Sequence, residues 1–238
     1  MLPSGTRTVL FDFDRTLGRA KSHYGMYVRA AEEFGVAVTE DALSGAKLDD
    51  AWAPWMTSKG PAHPDESKSE AAFAEVRREI AGLRLRSADV DCDQGTLDRV
   101  TTRIAELEGE AENYMLYDDS VAALDGLARS GVQSLIVSNH VWRLPEIIRD
   151  LGVSARFEGV ITSARVGVRK PHPAIFEGAL RLAGTVVDET IYVGDSYKHD
   201  VEGARSVGMA SILIDREARY ATAEIDVPVI TKLTELLP

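Results

Sequence analysis

Asp12 and Asp14 stand directly behind the apolar run Thr8-Val9-Leu10-Phe11, and Thr16 follows at the same two-residue spacing. Paired carboxylates at the end of a buried segment suit nucleophilic and acid–base chemistry, because one can attack while its neighbour moves a proton. Polar groups recur in similar settings farther along: Ser138 and Asn139 after Leu135-Ile136-Val137, Lys170 ahead of Pro171, and Asp195 and Asp200 after Ile191-Tyr192-Val193-Gly194. Taken singly, each has an ordinary explanation. An acid or serine after a strand is most often a helix N-cap, and a lone lysine is most often solvated. Taken together, the residue types are complementary. A phosphate dianion about 4 Å from one carboxylate, at an effective dielectric near 20, is repelled by roughly 8 kcal/mol. A carboxylate therefore attacks phosphorus only where cations intervene. Asp12 and Asp195 could hold Mg2+, which takes a few carboxylates along with phosphate oxygens. Lys170 would add a second positive charge, and Ser138 with backbone N–H groups at helix N-termini would hold the remaining oxygens. Asp14 would protonate the leaving oxygen and then serve as base for water.

These groups can meet only if the segments before them are neighbouring strands, since ligands of open α/β sheets bind outside the carboxyl ends of the strands. The apolar runs predict strands over residues 8–11, 134–138, 157–162, 190–193, 210–214 and 227–230. Helices are expected between them over 120–128, 141–151, 173–183 and 199–207, with a last helix at the end of the chain. Continuous apolar strands alternating with amphipathic helices give an α/β fold, a Rossmann-like parallel sheet with helices on both faces. Between the first strand and the rest the pattern is helical. Tyr24, Tyr27, Val28, Ala31 and Phe34 fall at helix spacing before Gly35, and a second helix is expected from Thr39 toward 52–56. A loop over 57–69 and helices over 70–83 and 96–107 follow, with no strand expected. Residues 1–19 and 118–238 are thus expected to form the core, and 20–117 an all-α domain inserted above the strand ends.

At 238 residues, 45% hydrophobic and 27% charged, the chain can bury a substantial core. A formal net charge of −11 argues against nucleic acid and against an anionic membrane as partners. An anionic substrate would then need a local cationic device, which Lys170 and a metal would supply. Cys92 is the only cysteine, so no intrachain disulfide is possible and a reducing compartment is expected. The short apolar stretch near the start falls below the length of a signal peptide or membrane span, which makes a cytoplasmic location the expectation.

In order and context these segments resemble the haloacid dehalogenase superfamily, whose members are mostly phosphatases. The four motifs are Asp12-Phe13-Asp14-Arg15-Thr16, Leu135-Ile136-Val137-Ser138, Lys170-Pro171, and Gly194-Asp195-Ser196-Tyr197-Lys198-His199-Asp200. The resemblance spans residues 8–19 and about 118–238. It implies Asp12 as a nucleophile that forms an aspartyl-phosphate, and Asp14 as acid and base. Ser138, Asn139 and Lys170 would bind phosphate, and Thr16 would support the loop. Asp12, Asp195 and Asp14, the last through its backbone carbonyl, would be the Mg2+ ligands. Asp200 would position Lys170 or a metal-bound water. The insertion would be a helical cap, and the substrate a small phosphorylated metabolite.

Arg15 replaces a common glycine and His140 a small residue, which bears on the shape of the site mouth. A phosphosugar mutase shares the first half-reaction, so the core motifs leave it open. A phosphonate-cleaving relative would need a cap lysine, for which Lys47 and Lys59 are candidates. Direct dehalogenation does without the second acid, and a non-catalytic phosphate-sensing module would be expected to lack one of Asp12, Asp14, Lys170 or Asp195. In the insertion, Trp52, Trp55 and Met56 would pack its own core or wall the leaving group, and His23 and Tyr24 lie close enough to the first strand to reach the cleft.

Overall fold

The computed structural model describes residues 2–45, 62 and 65–237. Strand β1, Thr8–Phe11, is buried at every position. Its side chains alternate, with Val9 and Phe11 in one apolar cluster and Leu10 in another on the opposite face. Such two-sided burial belongs to the centre of a parallel sheet. β2 (Gly18–Ala20) and β3 (Tyr114–Leu116) pair antiparallel with each other. β4 (Gln133–Ser138), β5 (Gly159–Thr162), β6 (Thr190–Gly194), β7 (Ala210–Ile214) and β8 (Val229–Ile230) join β1 in a six-stranded parallel sheet ordered β5-β4-β1-β6-β7-β8. Phe11 is level with Ile136 of β4 and Val193 of β6. Asp12, Ser138 and Asp195 therefore emerge from three adjacent strands on one edge, at the point where the strand order reverses.

Among the described residues the helices are α1 (Gly25–Glu33), α2 (Glu40–Gly45), α3 (Glu70–Ser87), α4 (Gln94–Leu107), α5 (Ser120–Arg129), α6 (Leu144–Asp150), α7 (Ser163–Val166), α8 (Pro173–Ala183) and α9 (Glu202–Arg205). Leu124 and Leu127 of α5 and Ile147 and Ile148 of α6 cover one face of the sheet. Ile175, Phe176 and Ala179 of α8 with Ala204 of α9 cover the other. Each fully buried aliphatic side chain contributes about 1.5–3 kcal/mol. Helices α1, α3 and α4 share a separate core built on Tyr27, Ala30, Leu85, Val100 and Ile104. Side-chain caps fix where α3 and α4 start: Ser69 Oγ accepts from Ala72 N at 3.1 Å, and Asp93 Oδ1 from Thr96 N at 3.1 Å.

The boundaries differ from the sequence reading in several places. The stretch expected to lack strands begins and ends in one, because β2 and β3 zip its entry to its exit. Three residues are too few to display a period, and their partner lies far away in sequence. Gly18 is required there, since a Cβ would meet Met115 O at 2.7 Å. The strand expected from residue 157 starts at Gly159, after a short 3₁₀ turn over Ser154–Arg156. The helix expected from residue 141 starts at Leu144, with Pro145 in its first turn, where a missing N–H costs nothing. The expected terminal helix is a single 3₁₀ turn, Leu233–Leu236. The helix expected over 199–207 is a wide π turn, Tyr197–Val201, running into α9. Helix α2 ends at Gly45, and Trp52, Trp55, Met56, Lys47 and Lys59 lie outside the described residues. Among the described residues no helix is long and apolar enough to cross a membrane.

Candidate active site

Asp12 is the first residue beyond β1, and its N–H donates to Val193 O of β6 at 2.9 Å. Lys170 comes from the turn before α8, and its Nζ lies 2.9 Å from Asp12 Oδ1 and 2.6 Å from Asp200 Oδ1. The ammonium also donates to Tyr192 Oη at 2.8 Å, and that hydroxyl donates onward to Val137 O at 2.6 Å. Tyr192 and Asp200 thus take two of the three ammonium protons, while Asp12 Oδ1 faces the ammonium as an ion pair with no hydrogen bond of its own. The Lys170 side chain is 1% exposed. Burial works against its charge, but Asp12 and Asp200 outweigh burial and hold it above the usual lysine range.

Asp200 is fixed at both oxygens, since Oδ2 also accepts from Ser196 N at 2.9 Å. That second bond sets the shape of the π turn, and Ser196 Oγ accepts from His199 N at 3.2 Å within it. The carboxyl packs so close to Gly194 that a Cβ there would sit 2.3 Å from it. Asn139 clamps the lysine loop: its Nδ2 donates to Lys170 O at 3.0 Å and its Oδ1 accepts from Lys170 N at 2.8 Å. The side-chain amide expected on a phosphate is therefore engaged with the main chain of Lys170. Ser138 is buried at the end of β4. Thr16 is buried in the loop after Asp14, and its carbonyl accepts from Arg216 Nη2 at 2.8 Å.

Asp195 pairs with Arg219, whose Nη2 lies 2.5 Å from Oδ2 and also donates to Asp195 O at 2.9 Å. Burial, then Asp12 and Asp200, still push the Asp195 acid up to about 7. Asp12, Asp195 and Asp200 each offer an oxygen within 4.8 Å of the others. Three carboxylates around one lysine leave an excess of buried negative charge, and an all-oxygen donor set of this kind suits a hard divalent cation. The Asp14 carboxylate is not part of that group. It faces the cleft, half exposed, with His140 Nε2 at 3.5 Å from Oδ2. Enclosure by protein, then the charge of Asp12, raises its acid to about 7. His140 stands edge-on to Phe13 and beside Tyr114, and burial lowers it to about 4, so it is uncharged at neutral pH. Arg15 is exposed, with φ 56°, and lines the cleft.

The cleft above Asp12, about 830 Å3, is bounded by Lys170, Asp195, Arg219 and, from the insertion, Ser22, His23 and Tyr24. Behind Asp14 a second cavity of about 220 Å3 separates the core from the helical insertion. It shares Asp14, His23, Asn139 and Arg169 with the cleft, so these residues form a common wall. Sequence reasoning missed Tyr192, Arg219 and the Arg77–Glu108 pair of this cavity. None of these carried a signal in the sequence, because each takes its role from a partner far along the chain.

A six-stranded parallel sheet with carboxylates and a buried lysine at the ends of its central strands defines a Rossmann-like α/β hydrolase site. Residues 6–208 match the model of the haloacid dehalogenase-like hydrolase family, and the chain belongs to that family. It is 29% identical over 226 residues to the haloacid dehalogenase-like hydrolase domain-containing protein 3 of Danio rerio, covering 93% of this chain and 90% of the relative. It is 28% identical to the phosphoserine phosphatase of Thermus thermophilus, covering 90% of this chain and 83% of that one. Among solved structures, the HAD-hydrolase YfnB of Bacillus subtilis, bound to magnesium, superimposes with TM-score 0.71 at 21% identity over 97% of this chain and 96% of its own. This last likeness is one of fold.

Proposed function

We propose that this chain is a magnesium-dependent phosphomonoesterase of small metabolites that works through an aspartyl-phosphate on Asp12. The observation that carries the reading is the meeting of Asp12, Lys170, Asp195 and Asp200 around one point on the sheet edge. Phosphatases among the relatives support it, including the Thermus enzyme and a glyceraldehyde 3-phosphate phosphatase from Methanothermobacter thermautotrophicus, 32% identical over 130 residues. That second match covers 50% of this chain and 56% of the relative.

Asp12 and Asp195 would hold Mg2+, with the Asp14 carbonyl as a further ligand and Asp200 steering Lys170. The ion, when bound, supplies the positive charge that lets an anionic carboxylate approach an anionic phosphate. Lys170 stands 2.9 Å from Asp12 and holds the phosphate oxygens against it, with Ser138 beside it at the end of β4. One Asp12 oxygen attacks phosphorus, the bond to the ester oxygen breaks, and Asp14 gives that oxygen its proton. Water then attacks the phosphorus, Asp14 takes its proton, the bond to Asp12 breaks, and inorganic phosphate leaves. An acid near 7 can do both, being populated in each state at neutral pH. The helical segment between β2 and β3 would serve as a cap that closes over the site and excludes bulk water.

The test is phosphate release from a panel of phosphorylated metabolites, with and without Mg2+. Turnover should need the metal and fall by at least about a thousandfold in Asp12→Asn, the scale of losing an essential nucleophile. No release from any compound, or release that survives Asp12→Asn, would sink the reading.

A further inference from the structure

The turn after β7 sends two arginines toward the site, and neither takes part in the steps above. Asp215 shapes this turn. Its N–H donates to Ile230 O at 2.8 Å, while its Oδ1 accepts from Arg219 N at 2.8 Å and its Oδ2 from Tyr220 N at 2.9 Å. A turn fastened to the sheet in this way is a rigid base. Arg219 leaves it toward Asp195, and Arg216 leaves it toward the loop that carries Asp14. The Arg216 side chain is 10% exposed. Its Nη2 donates to Thr16 O at 2.8 Å and pairs with Asp119 Oδ1 at 3.0 Å, and the guanidinium carbon lies 4.0 Å from the centre of the Tyr117 ring. A flat, forked cation suits a carbonyl, a carboxylate and an aromatic face together, where an ammonium does not. Asp119 is itself held, since its Oδ2 accepts from Leu233 N at 2.5 Å.

The loop that Arg216 grips is tight and strained. The amides of Thr16, Leu17 and Gly18 all donate to Phe13 O, at 3.2, 3.0 and 3.0 Å, and Arg15 N donates to Gly18 O at 2.7 Å. Closing the loop puts Arg15, which carries a Cβ, at φ 56° in the left-handed region. Such a conformation persists only where the surroundings over-determine it. Leu17 O accepts from Tyr117 N at 3.1 Å and from Ser120 Oγ at 2.7 Å, and Thr16 O, nearer to Asp14 along the chain, is held by Arg216. The Asp14 carboxylate faces the cleft with His140 Nε2 at 3.5 Å, beyond a good hydrogen bond, so its place depends on the main chain beneath it.

We infer that Arg216 is a positioning residue for Asp14: by holding the Thr16 carbonyl against Tyr117 and Asp119, it fixes the loop whose acid gives the leaving oxygen its proton. The inference rests on the phosphomonoesterase reading, in which Asp14 has that part. A residue acting in this way matters in proportion to how much the leaving oxygen needs the proton. A residue that merely supports the fold lowers the turnover of every substrate alike.

Phenyl phosphate and p-nitrophenyl phosphate are close in shape, but phenolate is the poorer leaving group and needs the acid more. With the full chain and Mg2+, kcat/KM covers the steps up to loss of the phenol. Arg216→Met keeps much of the length without charge or donors. It should lower kcat/KM for phenyl phosphate at least about tenfold more than for p-nitrophenyl phosphate. Asp14→Asn removes the acid itself and should show the same selectivity in full. Circular dichroism checks that each variant is folded. Equal losses on the two compounds in a folded Arg216→Met, beside a selective Asp14→Asn, overturn the inference while the phosphatase reading stands. If Arg216→Met does not fold, Arg216→Lys carries the test, because an ammonium bonded to Thr16 O cannot also lie flat on Tyr117. A selective loss of at least about threefold there supports the inference, and equal losses overturn it. An Asp14→Asn protein that loses both compounds equally denies Asp14 its part, and absence of Mg2+-dependent turnover of either compound in the wild type removes the phosphatase reading. Each of these takes the inference with it.

Discussion

Lys170 is a cation with almost no access to water, and its position depends on groups from three strands. Tyr192 contributes least by charge and most by geometry, because its hydroxyl accepts from the ammonium and donates to Val137 O. Tyr192→Phe keeps the ring against Phe176, 5.2 Å centroid to centroid, but leaves the Val137 carbonyl and one ammonium proton without this partner. Unsatisfied buried groups of this kind cost about 1–3 kcal/mol. The variant should therefore unfold at lower urea with an unchanged m-value, and Lys170 should hold phosphate less well, seen as a raised KM. Unaltered unfolding would mean that the hydroxyl bonds contribute nothing. Asp12, Asp14 and Asp195 behind apolar runs and Lys170 ahead of Pro171 were legible in the sequence because their types complement one another when taken together. Tyr192 was not, since its reach to Lys170 depends on β6 lying beside β1 in a register that only the folded sheet fixes.

Among the elements, the turn after β6 joins local chain shape most tightly to chemistry. Its π geometry follows from Asp200 folding back so that one carboxylate oxygen meets Lys170 and the other the Ser196 N–H. Gly194 leaves room for that return, with 2.3 Å between the position of an added Cβ and the Asp200 carboxyl. Gly194→Ala must displace Asp200, and overpacking of this sort costs about 1–3 kcal/mol. Activity should fall further than stability does, because the displaced carboxylate no longer orients Lys170. Turnover at saturating substrate and the urea midpoint, measured together, separate the two effects, and an alanine variant with wild-type turnover would contradict the account. Periodicity located α3 and α4 to within a few residues, since their apolar stripes are long. It read the π turn as plain helix because the cause of its widening, Lys170, lies 30 residues away. The β2–β3 ribbon was hidden for the same reason, each strand being defined by a partner nearly a hundred residues distant.

Over the whole molecule, a chain of net charge −11 concentrates three carboxylates at one buried point, and stability should reveal the strain. Asp195 is raised from 3.8 to about 7, by burial first and then by Asp12 and Asp200, and Asp14 and Asp200 shift the same way. The native state thus binds these protons more tightly than the unfolded chain does. The stabilisation is complete below about pH 4 and is lost as pH rises toward about 7, after which these groups add no further slope. Metal-free protein should therefore lose Tm between pH 5 and pH 7.5 by more than Asp195→Asn does. At pH 7.5 the variant should be the more stable by something on the order of 2 kcal/mol, because it never ionises. Mg2+ should reverse the pattern. Its ligands must be deprotonated, so a concentration a hundred times Kd should add about 2.7 kcal/mol at pH 7.5 and much less at pH 5. In Asp195→Asn the gain should shrink at both. Thermal unfolding across this grid reads the metal site without any substrate. An equal Mg2+ effect at pH 5 and pH 7.5, or none at either, would show that Asp12 and Asp195 do not act together on one cation.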